Sequence, residues 1–353
     1  MSRRVLIVRL DSVGDVLLAG PAVRAVAARA EVDLLCGPTG APAGRLLPGV
    51  RHVHEWDCPW IGNPARPASV EAVDELNAIV ATVRPDEAVI LTSFHQSPLP
   101  LALLLRLAGI ERLSGASVDY AGSLLDVRLR PGEDFPESQS EVTRALTIAA
   151  AAGYELPPGD DGRLAVRPTP DPAPLVGREP YVVVHPGAAV PARAWPVTHH
   201  VAAVRALADA GLRVVVTGSA GERGETARVA GDIAVDLGGR TDLAVLAGVL
   251  GSADAVVVGN TGAAHLAAAV STPVVSLFSP VVDETCWRPF GVPTVLLGRT
   301  DTACAGTRAR ECPVPGHPCL ADIEPKHVVE AVFAIRRQRS AEFGAVATEA
   351  VPA

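Results

Sequence analysis

The chain has 353 residues, a net charge of −8 and an apolar share of 48%. That length suggests two domains, and the apolar share can fill two cores. The acidic balance argues against nucleic acid, which demands a basic face. No apolar run reaches the roughly 20 residues needed to span a bilayer, and Val5–Leu10 is too short and too close to Asp11 and Asp15 to be a signal-peptide core. The sequence therefore predicts a cytoplasmic protein with no transmembrane segment, for which peripheral membrane contact stays open.

In chain order, Arg4–Leu10 reads as an apolar strand that exits into 11-DSVGD-15 and then a helix over about Val16–Ala30. Two carboxylates and Gly14 at a helix entry have two readings. Asp15 either caps the helix through backbone N–H groups, or it is a general base that takes a proton from an attacking hydroxyl. Asp11 reads as a loop-fixing carboxylate, and it joins Ser12 and Gly14 as candidates on the acceptor side. Strand Val32–Cys36 follows, then a Gly- and Pro-rich loop over 37–49, strand Val50–Trp56 and another loop over 57–67. Ser69 can cap a helix running to about Val83, with Glu71 in its first turn. Glu87–Leu91 reads as a strand, Leu99–Leu107 and Glu141–Ala152 as helices. His95 is a further acceptor-side candidate.

Proline is dense in 155–162 and 167–180, which reads as a linker region. The expected division is 1–165 and 175–335, with a disordered tail over 340–353. The second half restarts the alternation with strands Tyr181–His185, Arg213–Thr217, Ala234–Leu237, Ala255–Gly259 and Val274–Phe278, and a last strand at Thr294–Leu297. Helices lie near 198–210, 222–230, 242–251 and 262–269, and a final one over Lys326–Arg339. Strands alternating with helices in both halves imply two doubly wound parallel sheets, an α/β architecture with ligands at the carboxyl edges of the strands.

Three strand exits in this half carry candidate residues. In 185-HPGAAVPARAWP-196, Arg193 is either a bidentate diphosphate ligand that stabilises leaving charge or an ordinary solvated loop arginine. Trp195 there reads as packing and His185 as a satisfied strand-end histidine. In 216-VTGSAGERGE-225, Thr217, Gly218 and Ser219 can approach a nucleotide, although every parallel strand needs such an exit. The third, 255-AVVVGNTGAAHLAAAVSTPVVSLFSP-280, is the most informative. Strand, glycine turn and helix aim free backbone N–H groups at an anion. Asn260, Thr261, Gly262 and His265 are read there as holding the diphosphate of a nucleotide.

Six scattered cysteines in such a chain read as reduced thiols. Cys304, Cys312 and Cys319, with His317, are separated by seven and six residues between cysteines, which fits no common zinc pattern. No metal is assigned.

Three motifs in order, RLDSVGDVLLAGPAVRAV, HPG…RAWP and GNTGAAHLAAA…PVVSLFSP, resemble glycosyltransferase family 9, the heptosyltransferases, over roughly residues 3–335. The resemblance implies GT-B, two Rossmann-like domains facing a central cleft, with acceptor in the N-terminal domain and donor in the C-terminal one. It implies an inverting, metal-independent transferase that uses a nucleotide-diphosphate sugar such as ADP-heptose and no cofactor. By motif match Asp15 takes the place of the proposed base and Arg193 that of a residue, often Lys, that holds the donor diphosphate. Thr261, Gly262 and His265 match the donor-phosphate turn. The chain departs from the family's pattern at Asn260, where relatives often have Asp, at Ala244, where some have a ribose-binding Glu, and at Thr307, where relatives often have Cys.

Charge adds a constraint on the acceptor. Residues 1–165 carry 15 Arg and 21 Asp and Glu, a net of −6, against 16 basic and 18 acidic residues, a net of −2, in the remainder. A polyanionic lipid core calls for a basic acceptor domain, so a neutral or cationic glycan, lipid-linked or small-molecule acceptor fits better. The sequence reading is thus an inverting glycosyltransferase, with a nucleotide-sugar epimerase of the same layout and a catalytically inactive nucleotide-binding module as alternatives.

Overall fold

The computed structural model describes residues 3–349 apart from Asn63, Phe94 and His95, with side chains described as far as Gln338. His95, an acceptor-side candidate, thus lies outside the described residues. The chain divides into two compact units, Met1–Arg167 and Pro168–Ala353.

The first unit holds strands β1 (Arg4–Arg9), β2 (Glu31–Cys36), β3 (Val50–Glu55), β4 (Glu87–Ile90), β5 (Arg112–Ala116) and β6 (Val127–Leu129). They form one sheet in the order β3-β2-β1-β4-β5-β6, and every pairing is parallel. The second holds β7 (Val182–His185), β8 (Val214–Val216), β9 (Val235–Asp236), β10 (Ala255–Gly259), β11 (Val274–Leu277) and β12 (Thr294–Leu297). Its order is β12-β11-β10-β7-β8-β9, again all parallel. Counted from each unit's own first strand, both sheets run 3-2-1-4-5-6, the Rossmann order. The order reverses between β1 and β4 and between β7 and β10, and the crevice outside those strand ends is where such sheets place ligands.

The central strands are apolar runs because both sheet faces are covered. Val5, Leu6, Ile7 and Val256 to Val258 are fully buried. The helix Pro325–Glu349 contributes Val328, Val332 and Ile335 to the second unit's core. Among the described residues no helix is long and apolar enough to cross a membrane.

The structure corrects several sequence expectations. The single helix expected over Val16–Ala30 is two, Val13–Leu18 and Gly20–Ala27. Pro21 has no N–H to continue an i→i−4 ladder, so a new helix starts there. The first helix also begins earlier than expected, which puts Asp15 inside its first turn. β5 and β6 were not expected. RLSGA breaks the apolar pattern at Ser114 and Gly115, and β6 has only three residues. The loop 37–49 contains a short helix, Ala41–Gly44. The last helix continues past Arg339 to Glu349, through Ala- and Glu-containing sequence that suits a helix. Residues 350–353 lie outside the described residues.

Candidate functional site

In the first unit the site grows from Arg9, the last residue of β1. Its side chain is 2% exposed, and a guanidinium cannot be buried without partners. It has four. Nε lies 3.0 Å from Asp11 Oδ2. Nη2 donates to Asp15 Oδ1 at 3.1 Å, to Glu141 Oε2 at 3.1 Å and to Ser93 Oγ at 2.6 Å. Ser93 arrives from the exit of β4, and Glu141 opens the helix Glu141–Ala151. One buried cation therefore gathers three carboxylates at the reversal of strand order.

The carboxylates differ in environment. Glu141 is buried. Asp11 also accepts from Gln96 Nε2 at 2.5 Å. Burial pushes its carboxyl up to about 6, with Asp15 and Glu141 adding to the rise and Arg9 and the Gln96 hydrogen bond opposing it. Asp15 is the most exposed of the three, at 19%, and Ser12 Oγ donates to its Oδ2 at 2.7 Å. The N-cap position belongs to Ser12, whose side chain makes no cap hydrogen bond. This corrects the reading of Asp15 as the helix cap. Arg9 and Ser12 each take one Asp15 oxygen and so fix its plane.

The floor under this segment is backbone. A Cβ at Gly37 would stand 2.5 Å from the Leu10 carbonyl oxygen, and one at Gly40 2.6 Å from that of Asp11. Gly14 is buried in the first turn, whereas Ser12 is exposed.

In the second unit the exits of β7 and β10 come together. A Cβ at Gly259 would lie 3.4 Å from the Arg193 carbonyl oxygen, so the Arg193 loop rests against the turn 259–262. Arg193 ends a 3-10 turn, Pro191–Arg193, and its side chain is half-buried. Thr261 is the N-cap of the helix Gly262–Ala269 in extended geometry, yet its side chain makes no cap bond. Thr261 Oγ1 and Asn260 Nδ2, together with Ser276 Oγ in β11, are buried without a hydrogen-bond partner among the described residues. Buried polar atoms are normally satisfied, so orphaned ones at a helix N-terminus favour a bound polar ligand. His265 is buried in the same first turn, at 3% exposure.

The β8 exit is more closed. Thr217 is fully buried, and its Oγ1 lies 2.9 Å from His185 Nδ1. Burial lowers the His185 pKa. The Ser219 N–H donates to Glu222 Oε2 at 2.7 Å within a capping box. The same carboxylate fills the space beside Gly187 and Gly218. Trp195 is core, with its ring edge-on to His200 at 4.7 Å.

All six cysteines are free, and His317 Nε2 lies 3.1 Å from the Ala192 carbonyl oxygen. Among the described residues no cluster of three or more His, Cys, Asp or Glu could hold a metal ion.

Sequence reasoning missed Arg9, Ser93, Gln96 and Glu141. An arginine ending an apolar strand was a usable signal for the first. The others lie 84 to 132 residues from their partners.

The family model for glycosyltransferase family 9 (heptosyltransferase) matches residues 96–317. The lipooligosaccharide heptosyltransferase 2 of Haemophilus influenzae is 28% identical over 164 residues, which is 44% of this chain and 47% of that protein, so that match spans about half of the relative. The lipopolysaccharide heptosyltransferase 2 of Escherichia coli (strain K12) is 24% identical over 363 residues, covering 96% of this chain and all of that protein. The solved structure of the E. coli ADP-heptose lps heptosyltransferase II superposes with a TM-score of 0.73 at 21% identity, over 96% of this chain and 99% of that one. The two parallel six-stranded units are thus those of the GT-B class. The family match covers more than half of the sequence, and the chain belongs to glycosyltransferase family 9 and is a glycosyltransferase.

Proposed function

We propose that the chain is an inverting heptosyltransferase that moves a heptose from an ADP-heptose-like donor to an acceptor hydroxyl, with Asp15 as general base. The observation that carries this reading is the hold on Asp15: the most exposed of the three clustered carboxylates, fixed in one orientation by Arg9 and Ser12. Asp15 takes the acceptor proton as the oxygen attacks the anomeric carbon. The bond from that carbon to the diphosphate breaks on the opposite face, and the nucleoside diphosphate leaves with the electron pair. Asn260, Thr261, the N-terminus of the Gly262–Ala269 helix, His265 and Arg193 receive the departing charge. The orphaned polar atoms beside that helix support this assignment. Thr217, Gly218 and Ser219 border the donor without being its main ligands, since Thr217 and Ser219 are engaged within the protein. The reaction needs neither metal nor cofactor and runs in the cytoplasm, where nucleotide sugars are made.

A thermal-shift panel of ADP, UDP, GDP, adenosine and ADP-heptose tests the donor. ADP and ADP-heptose should stabilise the protein, by about 2.7 kcal/mol at 100 times the dissociation constant. No response to any nucleoside diphosphate would overturn the reading.

A further inference from the structure

The segment after β12 carries Cys304, Cys312 and Cys319 and plays no part in the transfer described above. It nevertheless grips the turn that carries Arg193. Ala192, the middle residue of the Pro191–Arg193 turn, is fully buried. Its N–H donates to the Arg310 carbonyl at 2.9 Å, and its carbonyl oxygen lies 3.1 Å from His317 Nε2. A carbonyl can only accept, so Nε2 carries the proton and donates. That carbonyl belongs to the peptide whose other end is the Arg193 nitrogen, and the Arg193 N–H donates to the Val190 carbonyl at 2.8 Å. A peptide is planar, so bonds at both ends fix the plane from which the Arg193 side chain springs. We infer that His317 is a positioning residue for the donor: its imidazole locks the Ala192–Arg193 peptide and so presents the guanidinium to a nucleoside diphosphate. The inference rests on the reading of Arg193 as a diphosphate ligand.

Backbone conformation singles out His317. Its φ and ψ are both 50°, in the left-handed region, where a side chain with a Cβ is strained. Pro318 follows, and a proline disfavours helical backbone at the residue before it. A glycine would relieve the left-handed strain, as Gly316 does one residue earlier at φ 80°, yet position 317 holds an imidazole. Strain of this kind persists where the surrounding structure over-determines it, and it gathers at ligand clamps. The surroundings here are firm. The Gly306 N–H donates to the Pro280 carbonyl at 2.8 Å and the Arg308 N–H to that of Val281 at 2.7 Å, which ties the segment to the exit of β11. Ala192 packs with Val281, Val282 and Cys304 in one apolar cluster. On its other side the turn rests on the exit of β10, where the Arg193 carbonyl faces Gly259. His317 thus joins a loop anchored at one strand exit to the turn seated on the next.

The test is calorimetry of ADP and adenosine binding to the full chain, as wild type, His317→Asn, His317→Gln, Arg193→Ala and the double variant of His317→Asn with Arg193→Ala. Asn tolerates the left-handed region, but its amide ends near the place of Nδ1, short of the Ala192 carbonyl. His317→Asn should raise the ADP dissociation constant about three- to tenfold, the worth of one hydrogen bond, with adenosine binding unchanged. The Gln amide reaches as far as Nε2 and can donate, so His317→Gln should stay within about twofold of wild type. In the Arg193→Ala background His317→Asn should change nothing further, because residues that act through one contact are not additive. Wild-type ADP affinity in His317→Asn, equal losses for ADP and adenosine, equal losses in the Asn and Gln variants, or additive losses in the double variant would each overturn the inference. If Arg193→Ala itself binds ADP as the wild type does, the diphosphate reading of Arg193 fails and this inference falls with it. If Arg193→Ala weakens ADP and His317→Asn does not, only the role of His317 is overturned.

Discussion

Arg9 and Glu141, separated by 132 residues, meet with Nη2 3.1 Å from Oε2, and neither side chain is more than 2% exposed. Removing one partner of a buried pair leaves an uncompensated charge, which typically costs about 3–5 kcal/mol. Arg9→Leu strands Asp11, Asp15 and Glu141 together and should lose that much in chemical denaturation. Glu141→Gln leaves Arg9 two other carboxylates and should lose less, about 1–3 kcal/mol. Equal losses would show that the three carboxylates do not share the cation.

Asp15→Asn keeps shape and removes the proton acceptor. Turnover should fall by about 10²–10⁴-fold, the usual contribution of a general base, with donor affinity unchanged. Because Ser12 holds the N-cap position, Asp15→Ala should show none of the loss expected for a removed cap. A variant that turns over at wild-type speed with the true acceptor would move the base to another group, Asp11 first.

Asp11 should make stability depend on pH in an unusual direction for an aspartate. Its folded-state pKa of about 6 lies above the unfolded value of about 3.9. The native state thus holds the extra proton between those values, and stability from this group falls as pH rises from about 4 to 6. Asp11→Asn removes that slope. Its melting temperature relative to wild type should climb between pH 4.5 and pH 7, and a constant difference would refute the burial argument.

Arg193→Ala should weaken binding of ADP much more than that of adenosine. A charge-assisted contact to phosphate is worth about 1.5–3 kcal/mol, so the ADP dissociation constant should rise by about 10- to 100-fold. Calorimetry showing equal losses for both ligands would detach Arg193 from the diphosphate.

The apolar strands of both sheets were readable because parallel strands covered on both faces leave runs such as Val5–Val8 and Val256–Val258. β5 and β6 were not, since Ser114 and Gly115 interrupt the pattern and three residues carry no period. Asp15, Arg193 and the turn at 260–262 stood out as polar residues at strand exits. What held Asp15 did not, because Ser93 and Glu141 look like any loop serine and any first-turn glutamate until the fold brings them to Arg9. The helix start at Val13 was hidden for a local reason: Ser12 and Asp15 are both plausible caps, and only geometry decides.

The two glycines beneath the Asp11–Asp15 segment make its tolerance to sequence change one-sided. Backbone touches backbone at Gly37 and Gly40, so even one added methyl group there collides with the carbonyl of Leu10 or Asp11. The exposed Ser12 side has no such limit. In a saturation library of this loop, viable variants should therefore gather on its outer surface. The underside should stay invariant, and any drift in acceptor preference would have to be written from above.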